Sequence, residues 1–476
     1  MGNSRNQAKI PRIKLNSLTV YQKTRVETKT PELTPMTKMT ENISREAQMA
    51  VGSADGTMPE ATRKIAVSLL TGGGDRPYAF GLATELIRSG TVLDLIGSDD
   101  LDCPEFHGKP GVRFLNLRGD QRPDVGIAKK AHRVLAYYVK LIRYALTSKP
   151  KIFHVLWNNR FQSFDRTVLM LYYKLLGKKI ALTVHNVNAG RRDSKDTFYN
   201  RLTLRIQYRL TEHLFVHTDK MKVELNHEFG VPATRVTVIP FGINNAVPNT
   251  SLTPGEAKRR LGIADHKKTI LFFGNIAPYK GLEYLVAAFH QILDRDKDYR
   301  LLIAGRPKDC DEYWEAIYVS MREDLRDGKV LLKAEYIPDE ETEVYFKASD
   351  VLVLPYTHIY QSGVLFLGHS FGLPALVADV GSLRDEIVEG KTGFVFKPED
   401  HVDLASAIER YFASNLYRDL GTKRQQIREY AEKQHSWDVV GQVTMGVYAD
   451  LLRRPSLREL PNRDSSKGSL DVRDPL

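Results

Sequence analysis

Short, wholly apolar segments alternate with helical segments along almost the entire chain. Val351–Leu354 are four branched apolar residues that end at Pro355, which is typical of a strand buried on both faces of a parallel sheet. A turn containing Gly363 follows, and then an apolar-periodic segment that Gly372 ends as a helix. Repeated units of this kind predict an α/β protein built from doubly wound parallel sheets.

The alternation occurs twice, once on each side of a polar, turn-rich segment at residues 244–254. A chain of 476 residues exceeds the usual size of a domain with a single hydrophobic core, so we predict two Rossmann-like domains, at 63–247 and 248–436. Residues 1–62 keep no apolar period and are expected to be a disordered tail, with a second tail at 454–476. Strands are predicted at 65–70, 92–96, 151–157, 180–186, 214–217, 236–240, 269–273, 299–304, 330–334, 351–354 and 375–378.

Composition excludes several classes of protein. No run approaches the roughly eighteen apolar residues of a membrane span, and the polar N-terminus lacks the apolar core of a signal peptide, so we expect a cytoplasmic protein. Cys103 and Cys310 are the only cysteines and have no metal-ligand spacing, so neither a disulfide framework nor a zinc site is expected.

The net charge of +11 is concentrated in one region. Residues 128–220 contain 19 Lys and Arg against 5 Asp and Glu, a net +14. Such a patch attracts phosphates, nucleic acid or anionic lipid head groups, but no nucleic-acid-binding module is recognisable, so no nucleic-acid partner is expected. We expect the first domain to dock peripherally on the inner face of an anionic membrane through one basic helical segment. Its basic residues are Lys129, Lys130, Arg133, Lys140 and Arg143.

The alternative is that this segment is an ordinary amphipathic helix. Its apolar residues recur at helical spacing and would then face the sheet, leaving the lysines and arginines as a solvated surface. These apolar residues are Val134, Leu135, Tyr138, Leu141 and Ile142.

Cationic and polar residues follow the predicted strands of the second domain, where ligands of parallel sheets bind. Lys280 begins a predicted helix after one strand, and Arg306 follows the next. Together with the backbone N–H groups near Ser362, Gly363 and Val364, these cations could hold a diphosphate by charge and helix dipole. The alternative for Lys280 is a solvated lysine that caps a loop.

Polar residues also follow the strands of the first domain. The glycine-rich turn after the first strand leads into Gly73, Gly74, Asp75 and Arg76, and glycines there allow a close approach of backbone to a ligand or simply a tight turn. Later strands end at Asn158 and at His185 and Asn186, which are acceptor-side candidates. The acidic loop at 98–102 resembles a metal-binding motif, but nothing nearby completes an oxygen shell, so no metal is expected.

Residues 64–453 resemble the retaining nucleotide-sugar glycosyltransferases of family 4, which have the GT-B fold. The most specific similarities are at 273–285, 348–355, 372–374 and 379–395. The resemblance implies two Rossmann-like domains facing across a cleft, and a helix at 437–453 that crosses back to the first domain. It implies that Lys280 contacts the donor diphosphate, that the amides of 362–364 bind phosphate, and that the nucleoside lies beside Tyr336 and Ile337. His185 and the loop 72–76 would face the reacting sugar and the acceptor.

Two departures from the family pattern affect the donor site. Asn275 stands where the family has an Arg, and Arg306 is the candidate substitute. Ile359 and Leu367 stand where the family has a pair of Glu residues, so carboxylates for the ribose and the sugar hydroxyls are missing. A subset of the family carries the same Gln-Ser-Gly sequence as 361–363, which makes Gln361 a sugar-facing candidate and favours activity.

The expected function is therefore metal-independent, retaining transfer of a sugar to a hydroxyl acceptor, with Lys280, His185 and Arg306 as catalytic candidates. No cofactor is expected beyond the nucleotide sugar itself, and the acceptor would be lipid-linked or a growing polysaccharide. A sugar epimerase or a phosphorylase could share the fold, but the first would need acidic and His residues at the diphosphate and the second a cofactor-bearing lysine. The remaining alternative is an inactive relative that binds nucleotide sugar or a protein partner.

Overall fold

The computed structural model describes residues 64–121, 126–193, 195–244 and 246–453. The predicted tails at 1–62 and 454–476 lie outside the described residues.

The first domain contains a sheet of seven parallel strands in the order β3-β2-β1-β4-β5-β6-β7. Apolar clusters cover both faces of this sheet, which explains why its central strands are apolar throughout. The strands are β1 (Ala66–Leu70), β2 (Val92–Gly97), β3 (Val112–Asn116), β4 (Ile152–Val155), β5 (Lys179–Thr183), β6 (His213–Val216) and β7 (Val236–Val238). The helices are α1 (Arg76–Arg88), α2 (Ile127–Thr147), α3 (Gln162–Phe164), α4 (Met170–Leu175), α5 (Ala189–Arg192), α6 (Phe198–Leu210) and α7 (Asp219–Phe229), with a π-helical segment, Asp165–Leu169, joining α3 to α4.

The second domain contains six parallel strands in the order β10-β9-β8-β11-β12-β13. The strands are β8 (Lys268–Phe273), β9 (Tyr299–Ala304), β10 (Val330–Lys333), β11 (Val351–Leu354), β12 (Ala375–Ala378) and β13 (Gly393–Phe396). The helices are α8 (Pro254–Arg260), α9 (Leu282–Leu293), α10 (Asp311–Ser320), α11 (Arg322–Arg326), α12 (Asp339–Ala348), α13 (Gly363–Ser370), α14 (His401–Ala413), α15 (Asn415–Arg418), α16 (Leu420–Gln434) and α17 (Trp437–Arg453).

Local sequence signals explain where several helices start. Asp75 caps α1 by accepting a hydrogen bond from the Tyr78 N–H, and α8 begins with a reciprocal capping box between Thr253 and Glu256. The predicted helix of the 351–378 unit is present as α13, and its two flanking strands have the predicted bounds. The α/β architecture with two parallel sheets is thereby confirmed.

Strands β3 and β13 were not predicted from the sequence, and each forms an edge of its sheet. The residues of β3 are only partly buried, with Arg113 and Asn116 exposed. Arg113 forms an ion pair with the buried Asp94 of β2, at 2.5 Å. Without a continuous apolar run, this strand has no clear signature in the sequence.

Helix α17 packs against the first domain, although it follows the second domain in the chain. The Trp437 ring covers Gly81 of α1, where a Cβ would lie 2.1 Å from the indole. The Tyr448 hydroxyl lies 2.6 Å from Nδ1 of His154 on β4, and both residues are fully buried. The apolar face of α17 is therefore part of the core of the first domain.

The strand order changes direction between β1 and β4 in the first sheet and between β8 and β11 in the second. The loops that follow the two strands at such a point run to opposite faces of the sheet, which opens a crevice beyond the carboxyl ends of the strands. The loops after β1, β8 and β11 line one cavity between the two domains. The topology thus identifies this cavity as the place to look for a functional site.

Candidate functional site: a cleft between the two sheets

The cavity has a volume of about 540 Å³ and is lined by both domains. The second domain contributes the loop after β8, the start of α12 and the segment from Ile359 to α13, while the first domain contributes the start of α1 and the loop after β7. The predicted site residues in its lining are Gly74, Asp75, Arg76, Asn275, Lys280, Tyr336, Ile337, Gln361, Ser362, Gly363 and Val364.

Lys280 is the buried cation of this cavity. Its Nζ donates a hydrogen bond to the Tyr356 hydroxyl at 2.7 Å and lies 4.2 Å from the centre of the Tyr356 ring. Burial lowers the pKa of Lys280 to about 8. The solvated-lysine alternative is therefore wrong, because only 7% of the residue is exposed.

The N-terminus of α13 opens into the same cavity. Ser362 precedes the helix and its hydroxyl lies 3.4 Å from the Tyr356 hydroxyl, while Gly363 and Val364 begin the helix. The first N–H groups of an α-helix have no acceptor within the helix and carry the positive end of its dipole. Lys280 and these N–H groups give one wall of the cavity, hereafter the anion-binding wall, the positive charge that suits an anion.

Two carboxyl groups, those of Asp75 and Asp339, also line the cavity. Asp75 of the first domain lies so near α13 that a Cβ on Gly363 would be 3.5 Å from its Oδ2. Burial raises the pKa of Asp75 even though part of its surface faces the cavity, and burial also raises the pKa of Asp339. Arg76 forms an ion pair with Asp339 at 2.5 Å, which connects the two domains beside the cavity.

The glycine-rich turn after β1 folds over Trp157. Gly72 and Gly73 have φ angles of 61° and 71°, and a Cβ on Gly72 would lie 2.1 Å from the Trp157 carbonyl oxygen. A Cβ on Gly74 would lie 2.1 Å from the Trp157 ring. Glycine is required here because both the backbone conformation and the close packing exclude a side chain. Gly73 lines a second, adjacent cavity of about 370 Å³ together with Asp100 and Glu340.

His185 is the centre of an aromatic cluster below this turn. Its ring stacks on Trp157, with 4.2 Å between the ring centres, and its Nδ1 lies 3.1 Å from Nε2 of His217. His217 Nδ1 donates to the carbonyl oxygen of Ile239 at 3.3 Å, so its Nε2 is the acceptor for the His185 Nδ1–H. His185 Nε2 is then the unprotonated nitrogen, and it has no partner among the described residues. Burial lowers the pKa of His185, which keeps the ring neutral.

A buried polar network orients Gln361. Its Nε2 donates to Glu386 at 3.0 Å, and the other carboxylate oxygen of Glu386 lies 3.2 Å from Nε2 of His435. His435 Nδ1 donates to the Phe241 carbonyl oxygen of the first domain at 3.1 Å. The Oε1 of Gln361 is consequently an acceptor without a partner in the described part of the chain. Gln361 thus offers a hydrogen-bond acceptor beside the anion-binding wall.

Besides Gly73, four predicted residues do not line the large cavity. Arg306 is exposed and absent from its lining. Asn158 forms reciprocal amide hydrogen bonds with Gln207, at 2.8 and 3.3 Å. Asn186 is half-buried, and neither Asn186 nor His185 belongs to the lining of either cavity.

No metal site is apparent in the residues that the structure describes: no three His, Cys, Asp or Glu side chains are grouped to hold an ion. In the acidic loop, Asp99 accepts a hydrogen bond from Asn116 and Asp102 lies beside His107, both at 2.5 Å.

The structure adds site residues that the sequence did not reveal. Tyr356 comes two residues after β11, at the end of the apolar run, and contacts Lys280. Trp157 comes two residues after β4, and Glu386 lies in a short turn after β12. Trp157 and Glu386 come together with the site only through long-range packing. The position of Glu386 in the sequence gives no signal. Trp157 could have been considered, because it is an aromatic residue at the end of a predicted strand.

The chain matches known protein families over both domains. Residues 72–247 match the model of Glycosyltransferase Family 4, and residues 255–434 match that of Glycosyl transferases group 1. A D-inositol 3-phosphate glycosyltransferase of Corynebacterium glutamicum is 27% identical over 336 residues, which are 68% of this chain and 79% of the relative.

Solved structures share the fold at low sequence identity. Sucrose-phosphate synthase from Thermosynechococcus elongatus has a TM-score of 0.62 at 18% identity, covering 82% of this chain and 99% of that one. HepE of Anabaena, in complex with UDP and glucose, has a TM-score of 0.63 at 13% identity, covering 81% and 100%.

The two facing sheets and the cleft between them have the GT-B fold. The chain belongs to glycosyltransferase family 4.

Proposed function

We propose that the protein transfers a sugar from a nucleotide diphosphate sugar to a hydroxyl acceptor, with retention of anomeric configuration and without a divalent metal. The proposal depends on one observation: Lys280 and the N-terminus of α13 converge on one wall of the cleft. Breaking the anomeric C–O bond places negative charge on the leaving diphosphate, and fixed cations and N–H groups stabilise that charge.

Retention requires the acceptor oxygen to bond to the anomeric carbon on the face that the diphosphate leaves. The electron pair of the broken bond stays on the diphosphate oxygen, which takes the proton of the acceptor hydroxyl. No carboxylate nucleophile is then needed. In agreement, both aspartates of the cavity are occupied by protein contacts, since Asp75 caps α1 and Asp339 pairs with Arg76.

The lining of the cavity supports a position for each part of the donor. The nucleoside would lie beside Tyr336, which is 64% exposed, and the buried Ile337. The transferred sugar would lie near Gln361, whose free Oε1 can accept a hydrogen bond from a sugar hydroxyl. His185 lines neither cavity and its Nε2 is buried, so it would act as a positioning residue behind the first-domain side of the cleft. The UDP and glucose bound to HepE of Anabaena support a nucleotide-sugar donor.

The test is a screen of UDP-, GDP- and ADP-sugars for release of free nucleoside diphosphate, with and without acceptors, followed by NMR of the anomeric configuration in the product. Turnover of one donor with retention is the expected result. An inactive relative that binds nucleotide sugar or a protein partner would instead be stabilised against heat by a nucleotide without any turnover. An inverted product would disprove the retaining mechanism.

We further propose that the first domain docks peripherally on an anionic membrane and that the acceptor is lipid-linked or a growing polysaccharide delivered there. Large apolar side chains are exposed on α2 and on the neighbouring helical segment, where the Tyr172 hydroxyl donates to the Ile142 carbonyl oxygen. The alternative, in which the apolar residues of α2 face the sheet, is wrong for Leu135 and Ile142, whereas Tyr138 and Leu141 do face it. The exposed side chains include Leu135 (65%), Val139 (51%), Ile142 (36%), Val168 (55%) and Leu171 (50%).

Lys129, Lys140 and Arg143 are exposed on the same helix as this apolar surface. Apolar groups flanked by cations suit the interface of an anionic bilayer. No helix in the described ranges is long and apolar enough to cross a membrane. The surface would therefore attach the protein without inserting a span, and a cytoplasmic location stays a prediction.

Sedimentation with vesicles of phosphatidylcholine alone or with phosphatidylserine tests this attachment. The parent should pellet with the anionic vesicles at low salt and less at high salt, because screening weakens surface charge. A Lys129→Glu, Lys140→Glu, Arg143→Glu variant and a Leu135→Ser, Val139→Ser variant should both pellet less. Equal sedimentation of parent and variants would mean that the acceptor is soluble.

A further inference from the structure

A second cation, Arg192 of the first domain, lies near the anion-binding wall of the second domain. Arg192 ends the short helix α5 of the first domain, and its guanidinium carbon lies 4.6 Å from the centre of the Tyr279 ring of the second domain. Lys280 Nζ lies 5.8 Å from the centre of the same ring. Two cations, one from each domain, are thus held against one tyrosine at the edge of the cleft.

These two positive charges repel each other. Burial is the main cause of the lowered pKa of Lys280, and the charge of Arg192 contributes to it. Asp193 compensates only in part, through hydrogen bonds with Nε and one terminal nitrogen of Arg192 at 2.7 and 3.1 Å. An anion bound between Arg192 and Lys280 would remove this repulsion and gain two charge-assisted contacts.

The neighbouring residue, Arg191, does not share the contact of Arg192 with Tyr279. Arg191 points to the opposite side of α5 and forms ion pairs with Glu228 and Glu224 of α7, at 2.5 and 3.4 Å. The loop is braced by Asn188, which hydrogen-bonds Asp196 and Asn200 at 2.8 and 2.9 Å. Arg192 itself lines neither cavity, but it stacks on Tyr279, the residue directly before Lys280 of the cavity lining.

We propose that Arg192 binds the leaving diphosphate together with Lys280, so that the anion site is complete only when the first domain faces the second as it does here. This inference rests on the proposed function. It assigns a diphosphate-binding residue to the domain that would otherwise serve only the acceptor. The guanidinium supplies a planar donor set for phosphate oxygens, while Lys280 supplies a point charge.

Calorimetric titration with UDP, ADP and GDP, and with inorganic pyrophosphate as a base-independent probe, tests the inference. The proteins are the parent, Lys280→Ala, Arg192→Ala, Arg192→Lys and the control Arg205→Ala, which removes an exposed arginine from α6 of the same domain. We expect Arg192→Ala to weaken the best nucleoside diphosphate and pyrophosphate about tenfold, Arg192→Lys to weaken them less, and Arg205→Ala to bind like the parent. Thermal melting checks that each variant is folded.

The possible outcomes separate the inference from the proposed function. If Arg192→Ala binds nucleoside diphosphate as the parent does while Lys280→Ala does not, Arg192 has no part in the site and the donor assignment stands. If Arg192→Ala changes only the KM of the acceptor, the anion that it contacts is a phosphate of the acceptor, and the inference is wrong. If the parent binds no nucleotide or pyrophosphate, the proposed donor class fails and this inference fails with it.

Discussion

The two walls of the cleft are built in different ways. The second-domain wall consists of local features, because Lys280 and the start of α13 each follow a buried strand within one loop. The first-domain wall is backed by side chains from distant parts of the chain, because Tyr78 of the lining forms one cluster with Trp157 and His185, with ring centres 4.2 to 5.7 Å apart. The difference indicates that charge stabilisation depends on local backbone geometry, whereas the shape of the sugar and acceptor side depends on long-range packing.

The strongest test of the second-domain wall is Lys280→Ala. We expect kcat/KM to fall about a hundredfold, or about 3 kcal/mol, because the charge acts on the developing diphosphate. Steady-state kinetics with the donor identified in the screen measures it, and Lys391→Ala, which removes an exposed lysine of the same domain, is the matched control. Turnover within twofold of the parent would contradict the role of Lys280.

The pH dependence of nucleotide binding sharpens the same comparison. Lys280 has a pKa of about 8 in the free protein, and only its protonated form attracts a diphosphate. Binding should be strongest below pH 8 and weaken as the pH rises through that value, by at most about tenfold per unit. In Lys280→Arg the cation stays charged, so the affinity should not change between pH 7 and 9. Parallel profiles for the two proteins would show that another group titrates.

The first-domain wall is tested through His217, which positions His185 without lining the cleft. His217→Leu removes the acceptor for the His185 Nδ1–H and should lower kcat about fivefold, since one net hydrogen bond is worth about 1 kcal/mol. His217→Gln offers an amide oxygen in its place and should restore most of the activity. Nitrogen-15 NMR of the His185 ring reports the tautomer directly. Equal kcat values for the two variants would mean that His217 only fills space.

The smallest effect is expected from removal of metal ions. Excess EDTA should leave turnover unchanged, because Lys280 and the amides of α13 supply the positive charge at the diphosphate. The acidic loop of the first domain is the alternative source of a metal site. Loss of activity with EDTA and rescue by manganese or magnesium would mean that a metal at that loop, and not the second-domain wall, stabilises the diphosphate.

The sequence predicted the second-domain wall better than the first, and the reason is physical. An apolar strand followed by a glycine turn and a helix determines where α13 starts, whatever packs around it. Arg306 also follows a strand, but it is exposed and does not line the cleft, since position after a strand does not determine the direction of a long side chain. Arg306 therefore does not replace the positive charge that is missing at Asn275.

In the first domain, the positions of single strands were predictable but their combination was not. His185 was identified from its place at the end of a strand, yet its pairing with His217 and its stacking on Trp157 depend on three strands being neighbours. Similarly, the link from Gln361 through Glu386 to His435 joins residues from three separate elements. Contacts between residues so far apart in the chain leave no period or spacing in the sequence.

The return of α17 to the first domain has a consequence for synthesis and for dissection of the chain. Trp437 and Tyr448 complete the core beside α1 and β4, so the first domain cannot close its apolar groove during synthesis until α17 has been made. A fragment that stops at the linker near residue 250 should expose that groove and aggregate, whereas a peptide carrying α17, supplied separately, should bind the fragment and rescue its solubility.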